Sequence, residues 1–499
     1  MAKCIMVQGT MSGAGKSLLV TALCRIFTQD GYSVAPFKSQ NMALNSYVTA
    51  DGMELGRAQA AQAEAAGIPC DVRMNPILLK PSSDTGSQLI VMGEVRGQYD
   101  AKEYFRMKRA LIPEIMNAYN SLAEEHDIIV IEGAGSPAEI NLRQDDIVNM
   151  GLAELVNAPV ILAGDIDRGG VFAQLYGTVA LLQPEERKRV IGTVINKFRG
   201  DVELLQPGLR QLEELTSLPV LGVIPWMKID VDDEDSLAPR LEKTAAAGRP
   251  LDIAVIRLPH VSNFTDFSPL EEHPAVGVRY VNRVEQLGKP DLIILPGTKN
   301  TMGDLRWLRE TEIAEEILVL HGSGTAILGV CGGYQMLGRS LSDPENAESG
   351  ETAEGLGLLP CETVFTGKKT RTRRQAVCDM KPFAGARLEG YEIHMGRTRS
   401  AASPFCIMED GTEDGAVTES VFGTYLHGLF DSGELVGRVA GWLAERKGIR
   451  IPEQKTENRA AYRNRQYDLL ADTVRSSLDM KTIEQAMEVF AHDQITGTD

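Results

Sequence analysis

The chain has 499 residues, of which 43% are hydrophobic and 24% charged, the proportions of a soluble globular protein long enough for two or three well-buried cores. A net charge of −18, from 51 basic against 69 acidic residues, excludes a broad polyanion-binding surface such as a nucleic-acid groove but leaves room for local phosphate pockets. No apolar run approaches the roughly 20 residues that span a bilayer. The seven cysteines stand singly with no C-x-x-C pair, so the expected protein is cytoplasmic, with reduced thiols, no zinc site, no signal peptide and no membrane partner.

In chain order, the first half alternates short β-branched runs with loops and helix-like segments: "CIMVQG", "YSVAPF", "DIIVIEGAG", "APVILAGD", "VIGTVINK" and "PVLGVIP". The alternation predicts an α/β domain over residues 1–233, an open, mostly parallel sheet covered on both faces. The stretch "KIDVDDEDSLAPRLEKTAAAGRP" is acidic, then small and Gly/Pro-rich, and places a linker at 234–250.

Between the first strand and an amphipathic helix stands "QGTMSGAGKS". A general phosphate loop, G-x-x-x-x-G-K-[ST], would put its first glycine where Thr10 is; Gly9 comes one residue early. The segment still supplies what a phosphate cradle needs: Thr10, Gly13 and Gly15 for close backbone approach, Lys16 for the outer phosphates, and Ser17 for Mg²⁺. ATP and Mg²⁺ are therefore expected. Glu132 closes the strand "DIIVIEGAGS", where an acid can reach the metal at the C-terminal edge of a parallel sheet. "ILAGDIDRGG" brings Asp165 and Asp167 to another strand end, as metal or phosphate ligands or as helix caps. Asn196 and Lys197, after "TVI", are either a base-recognition pair or an ordinary polar strand end.

A second α/β series occupies 251–440: "LDIAVIRLP", "VGVRYV", "PDLIILPG", "GTAILGVCGG" and "SVFGTYLHGLF", with more β character late. From about Glu434 the pattern turns helical, giving a C-terminal helical extension at 441–499. "GTAILGVCGGYQMLG" runs from an apolar strand through Cys331 into a helix. Such a turn exposes a nucleophile at a helix N-terminus, where the dipole favours thiolate. A thiolate nucleophile calls for a histidine base; His427, at a strand end, and His394, in "GYEIHMGRT", both remain open. The loop at Gly297 and the N–H of Gly332 can together form an oxyanion hole.

The spacing G-x₅-G-K-[ST] resembles dethiobiotin synthetase and its relatives, whose loop reads G-T-x-T-x-x-G-K-T; the resemblance implies an acyl phosphate made from a carboxylate and ATP. The Cys331 constellation resembles the flavodoxin-like class I glutamine amidotransferase domain, which implies that Cys331 attacks glutamine and His427 shuttles protons. Most of that class has a glutamate two residues after the histidine; here the position is Leu429. The vitamin B12-type branch is similar in lacking this acid, which leaves a backbone carbonyl or another carboxylate, Asp431 among them, to orient the histidine.

Together the two halves resemble the cobyric acid synthase family almost end to end, in strings such as "PFKSQNMALNSYVTADGMELGRAQ", "IEGAGSPAEINL", "DIDRGGVFAQLYGT", "GVCGGYQMLG" and "FGTYLHGLF". That resemblance implies amidation of the b, d, e and g carboxylates of adenosylcobyrinic acid a,c-diamide, with the corrinoid and glutamine as partners and homo-oligomerisation open. Lys38, Gln40, Asn41 and Asn45 of "FKSQNMALNS", just after the second strand, and Lys80, Ser82 and Ser83 of "LLKPSSDTGSQ" are either at the rim where the acceptor carboxylate should lie or polar loop residues without a substrate role. Two rival readings are a cobyrinic acid a,c-diamide synthase, whose segment after the second strand resembles "FKxGPDYIDP", and a regulatory ATPase carrying an inert glutaminase-like domain.

Overall fold

The computed structural model describes residues 2–81, 86–231, 239–246, 248–452 and 459–496. The apolar runs of the first half form one all-parallel sheet, in the order Val220–Pro225, Val190–Phe198, Val160–Asp165, Lys3–Gly9, Ile128–Glu132, Val34–Phe37. Helices cover both faces, so the central strands are buried along their length and read as continuous hydrophobic runs. Side chains alternate between the faces. Met6, Ile129, Ile131 and Leu162 enter one core, while Ile5, Val7, Val130 and Ile161 pack under Leu19, Leu23 and Ile26 of the helix Lys16–Gln29. Register brings Glu132 beside Val7, and Asp165 beside Asn196, so the polar strand ends gather around the glycine loop.

The second sheet runs Val276–Val281, Leu251–Ile256, Leu292–Leu295, Ala326–Val330, Val421–Thr424, Ala416–Val417, parallel except for the last pair. Antiparallel structure is grafted onto each domain. In the first, Gln40–Met42, Ile77–Pro81, Gly86–Val91 and Glu94–Asp100 make a small sheet, and Ser46–Val48 pairs with Glu54–Gly56. In the second, Cys361–Cys378 and Arg387–Ser400 form a long hairpin that reaches the first domain: Arg371 donates to the carbonyl of Gly93, and Arg373 to the hydroxyl of Tyr47 at 2.7 Å.

Of the expected linker at 234–250, residues 234–238 and 247 lie outside the described residues. Leu241, within that expected linker, is buried in the second domain's core. The C-terminal helices divide between the domains. Glu434–Lys447, which spans the sequence boundary at 440, stays on the second domain, where Trp442 meets Phe422 edge-on at 5.4 Å. Arg459–Ser477 and Met480–Thr496 return to the first domain, where Leu470, Val474, Leu478, Ile483 and Met487 join the core formed by the helix that follows the glycine loop and by the sheet beneath it.

Candidate active sites

The glycine loop turns between strand Lys3–Gly9 and helix Lys16–Gln29 with Gly13 at φ +75° and Gly15 at φ +93°, conformations that favour glycine. Space enforces the second choice as well: a Cβ on Gly15 would stand 2.1 Å from Nδ2 of Asn196, whereas one on Gly13 would meet nothing within 4 Å. Lys16 Nζ donates across the loop to the carbonyls of Met11 and Gly135, both at 3.1 Å. Thr10 Oγ1 donates to Gln174.

Glu132 is buried beneath the loop and is the hub of the site. Its Oε1 accepts from Ser17 Oγ and from Lys38 Nζ, each at 2.9 Å, and its Oε2 accepts from Gln62 Nε2 at 2.6 Å. Asp165, expected beside the metal, accepts from Lys197 Nζ at 2.8 Å; that ammonium also donates to Gly13 O. Asn196 uses both ends of its amide locally, donating to Ala14 O and accepting from the N–H of Lys197. Asn196 and Lys197 therefore brace the loop from behind. The donor set at its mouth, a hydroxyl 2.9 Å from one carboxylate oxygen, suits magnesium, which keeps several waters and takes phosphate oxygens as further ligands. Among the described residues no group of three or more His, Cys, Asp or Glu side chains is arranged to hold a metal without such help.

The residues expected at an acceptor rim are more deeply placed than that expectation implies. Lys38 and Asn41 are buried, the first on Glu132 and the second donating to Gln59 at 3.1 Å. Gln40 accepts from the Tyr104 hydroxyl. Asn45 is buried, and its carbonyl accepts from Arg57 N–H. Lys80 is buried on Glu54 at 2.7 Å. Ser82 and Ser83 lie outside the described residues.

Cys331 follows strand Ala326–Val330 and caps helix Gly332–Leu337 at φ +51°, ψ −108°. Such a backbone costs a non-glycine residue roughly 1–3 kcal/mol and persists because its surroundings over-determine it. Tight packing forbids a side chain on either neighbouring glycine. A Cβ on Gly332 would stand 2.7 Å from Thr298 Cγ2, and one on Gly333 would stand 2.0 Å from Leu295 O. The thiol lies 3.7 Å from the Ile393 carbonyl.

His427 is buried beside it, with Nδ1 2.7 Å from Asp266 Oδ2, while Asp266 Oδ1 accepts from the Gly428 N–H at 3.0 Å. Burial disfavours the imidazolium. The Asp266 carboxylate and, more weakly, the Cys331 side chain outweigh this and push His427 up to about 10. Tyr391 stacks on the ring at 5.3 Å. Gly297 also lies close to the ring, where a Cβ would come within 2.8 Å of His427 Cε1. His394 faces elsewhere, bonded through Nδ1 to Gly396 O and stacked on Tyr425 at 3.8 Å. Asp431 is paired with Arg463.

Sequence reasoning missed Asp266 and Gln62. Asp266 sits in the turn Phe264–Phe267, and an acid set between the two phenylalanines of "NFTDF" was the available signal. Gln62, on helix Arg57–Ala65, had none beyond being a polar residue in an alanine-rich helix.

Comparison with known proteins agrees with the two-part chemistry. Residues 5–237 match the family model described as the CobQ/CobB/MinD/ParA nucleotide binding domain, and residues 252–435 that of the CobB/CobQ-like glutamine amidotransferase domain. A cobyric acid synthase of Lachnoclostridium phytofermentans is 54% identical over 98% of this chain and 99% of its own length. One of Ruminiclostridium cellulolyticum is 54% identical over 98% of each, and one of Yersinia enterocolitica 53% over 97% of this chain and 98% of its own. With a phosphate loop and a cysteine elbow on one polypeptide and majority identity to these proteins along nearly its whole length, the chain belongs to the cobyric acid synthase family.

Proposed function

We propose that the chain converts adenosylcobyrinic acid a,c-diamide to adenosylcobyric acid, amidating the b, d, e and g side-chain carboxylates through acyl phosphates. At the coarser level it is an ATP- and glutamine-dependent amidotransferase ligase of cobalamin synthesis. The coexistence of the Lys16–Ser17–Glu132 cluster with the Cys331–His427–Asp266 constellation carries amidation, and "FKSQNMALNS" after the second strand, in place of "FKxGPDYIDP", favours the b, d, e and g carboxylates over a and c.

In the glutaminase half, the Cys331 sulfur attacks the glutamine amide carbon, and the N–H groups of Gly297 and Gly332 receive the developing oxyanion. His427, held by Asp266, takes the thiol proton and gives it to the departing nitrogen, which leaves as ammonia. Water, deprotonated by the same ring, then cleaves the glutamyl thioester to glutamate and free thiol. In the synthetase half, Lys16 would hold the outer phosphates, with Ser17 and Glu132 holding Mg²⁺; bound MgATP supplies the phosphoryl group that makes the carboxylate oxygen a leaving group. Around that reaction, the buried ring of Lys38, Gln62 and Glu132 fixes charges and excludes bulk water. Seven unpaired cysteines, and no helix among the described residues long and apolar enough to cross a membrane, support placement in the reducing cytoplasm.

The test is mass spectrometry of a corrinoid a,c-diamide incubated with the protein, glutamine and MgATP. Successive replacements of OH by NH₂ are expected until the b, d, e and g positions are consumed. Amidation of cobyrinic acid at a and c, with the a,c-diamide left untouched, would overturn the assignment.

A further inference from the structure

Charged groups that this chemistry does not use concentrate where the two domains meet. Glu54 is fully buried; its Oε1 accepts from Lys80 Nζ at 2.7 Å and its Oε2 from Lys369 Nζ at 2.6 Å. Lys80 belongs to the first domain, on strand Ile77–Pro81, whereas Lys369 comes from the hairpin strand Cys361–Cys378 of the second. Burial opposes ionisation of Glu54, but the two ammonium groups outweigh it and hold the carboxyl well below the usual range. Well-packed apolar residues could replace such a buried cluster without loss of stability, so stability alone gives no reason for its presence.

From Glu54 physical contact runs to both reaction centres. Toward the nucleotide, strand Glu54–Gly56 passes directly into helix Arg57–Ala65, whose Gln62 holds the second oxygen of Glu132, the carboxylate that also binds Ser17. Toward the thiol, Lys369 precedes Thr370 and Arg371, which pair across the hairpin with His394 and Ile393, and the Ile393 carbonyl lies 3.7 Å from Cys331 Sγ. A second branch reaches the base. Lys80 donates to Ser46 Oγ at 2.9 Å, and the Tyr391 hydroxyl, whose ring stacks on His427, donates to Ser46 O at 3.2 Å. The Ser46 N–H donates to Asn263, the residue that caps the turn carrying Asp266.

We propose that Glu54 is a positioning residue coupling the two active sites, its grip on Lys369 relaying the state of Ser17 and Glu132 to Cys331 and His427. Glutamine hydrolysis then reaches its full rate only when nucleotide and acceptor carboxylate are in place. Buried, close-packed elements rearrange between discrete states and do not deform gradually, so a ligand that re-orders Glu132 biases the hairpin through this chain of contacts. The inference rests on the two-site amidation proposed above.

The test measures glutaminase activity of the full-length protein with and without MgATP plus corrinoid a,c-diamide, alongside amidation supported by added ammonia. The wild type should be stimulated by the ligands. Glu54→Gln should lose about fivefold or more of that stimulation while ammonia-dependent amidation is unchanged. Lys369→Met leaves Glu54 paired one-to-one with Lys80, and it decides the question if Glu54→Gln fails to fold. A folded variant that keeps the wild-type stimulation ratio overturns the proposal, as does a parallel fall with both nitrogen sources, which would mark a purely structural role. Wild-type protein that amidates with neither glutamine nor ammonia would instead sink the two-site reading itself.

Discussion

His427 Nδ1 stands 2.7 Å from Oδ2 of Asp266, a residue 161 positions earlier in the chain. Asp266 supplies a carboxylate to the histidine although position 429, two residues after it, is Leu429, buried in the core. Because Asp266 also accepts from the Gly428 N–H, it fixes both the ring's orientation and the backbone beside it.

Replacing Asp266 by Asn removes the charge that holds His427 at about 10 and leaves burial to pull the ring down. The alkaline limb of glutaminase kcat/KM should move to lower pH, and the rate near neutrality should fall at least ~100-fold. The stability consequence has a definite sign. A raised histidine contributes fully below its ordinary value of 6.5, and the contribution disappears as pH rises through about 10. Wild type and Asp266→Asn should therefore converge in Tm above that range. A histidine signal that titrates alike in both proteins by NMR would contradict the pairing.

The two chemistries should separate by mutation. Lys16→Ala removes the ammonium that bridges Met11 O and Gly135 O across the loop, so amidation should vanish with either nitrogen source while basal glutamine hydrolysis persists. Cys331→Ser should do the reverse, losing glutamine hydrolysis but still amidating with added ammonia. Parallel steady-state assays with glutamine and with ammonium chloride distinguish the patterns; loss of both activities in Lys16→Ala would mean that the sites do not act separately.

What the sequence revealed follows from how local each signal is. The parallel strands were legible because burial on both faces turns them into apolar runs bounded by glycine, and the phosphate loop and cysteine elbow because a few adjacent residues carry their geometry. Asp266 was not legible: proximity across the fold, not spacing, selects it. The lysines of "FKSQ" and "LLKP" read as rim residues because sequence does not say which carboxylate will lie beside a lysine; folding places Glu132 beside Lys38 and Glu54 beside Lys80. The short antiparallel strands between 40 and 100 were obscured by glycines, polar residues and frequent turns. The helical pattern at the end of the chain indicated an extension but not its partner, which for the last two helices is the first domain.

The glycine loop offers a comparison internal to one motif. Gly13 and Gly15 both have positive φ, so alanine costs backbone strain of about 1–3 kcal/mol at either. Only at Gly15 does the new methyl also collide with Asn196, whose amide is already committed to Ala14 O. Gly15→Ala should therefore weaken ATP binding by about tenfold or more beyond Gly13→Ala. The double variant Gly15→Ala/Asn196→Ala should recover part of the difference, because the clashing amide is gone. Isothermal titration with ATP and Mg²⁺ measures all of these; equal losses at the two glycines would remove the steric argument.

The C-terminal helices attach to the first domain through both charge and apolar surface, and the magnitudes predict which dominates. Arg25 pairs with Asp468 at 2.8 Å, but the Asp468 side chain is 46% exposed, and exposed pairs contribute about 0–1 kcal/mol. Leu470, two residues later, is fully buried among Leu19, Leu23 and Ile26, where truncation to alanine costs about 2–5 kcal/mol through lost burial and the cavity left behind. Asp468→Ala should leave the denaturation midpoint nearly unchanged, and any small effect should shrink in high salt. Leu470→Ala should lower the midpoint clearly at every salt concentration. Because the phosphate loop leads directly into helix Lys16–Gln29, Leu470→Ala should also weaken ATP binding, whereas glutamine hydrolysis by the second domain should survive at temperatures where ATP binding is already lost. A midpoint shift for Asp468→Ala as large as that for Leu470→Ala would show that the ion pair, not the apolar face, docks these helices.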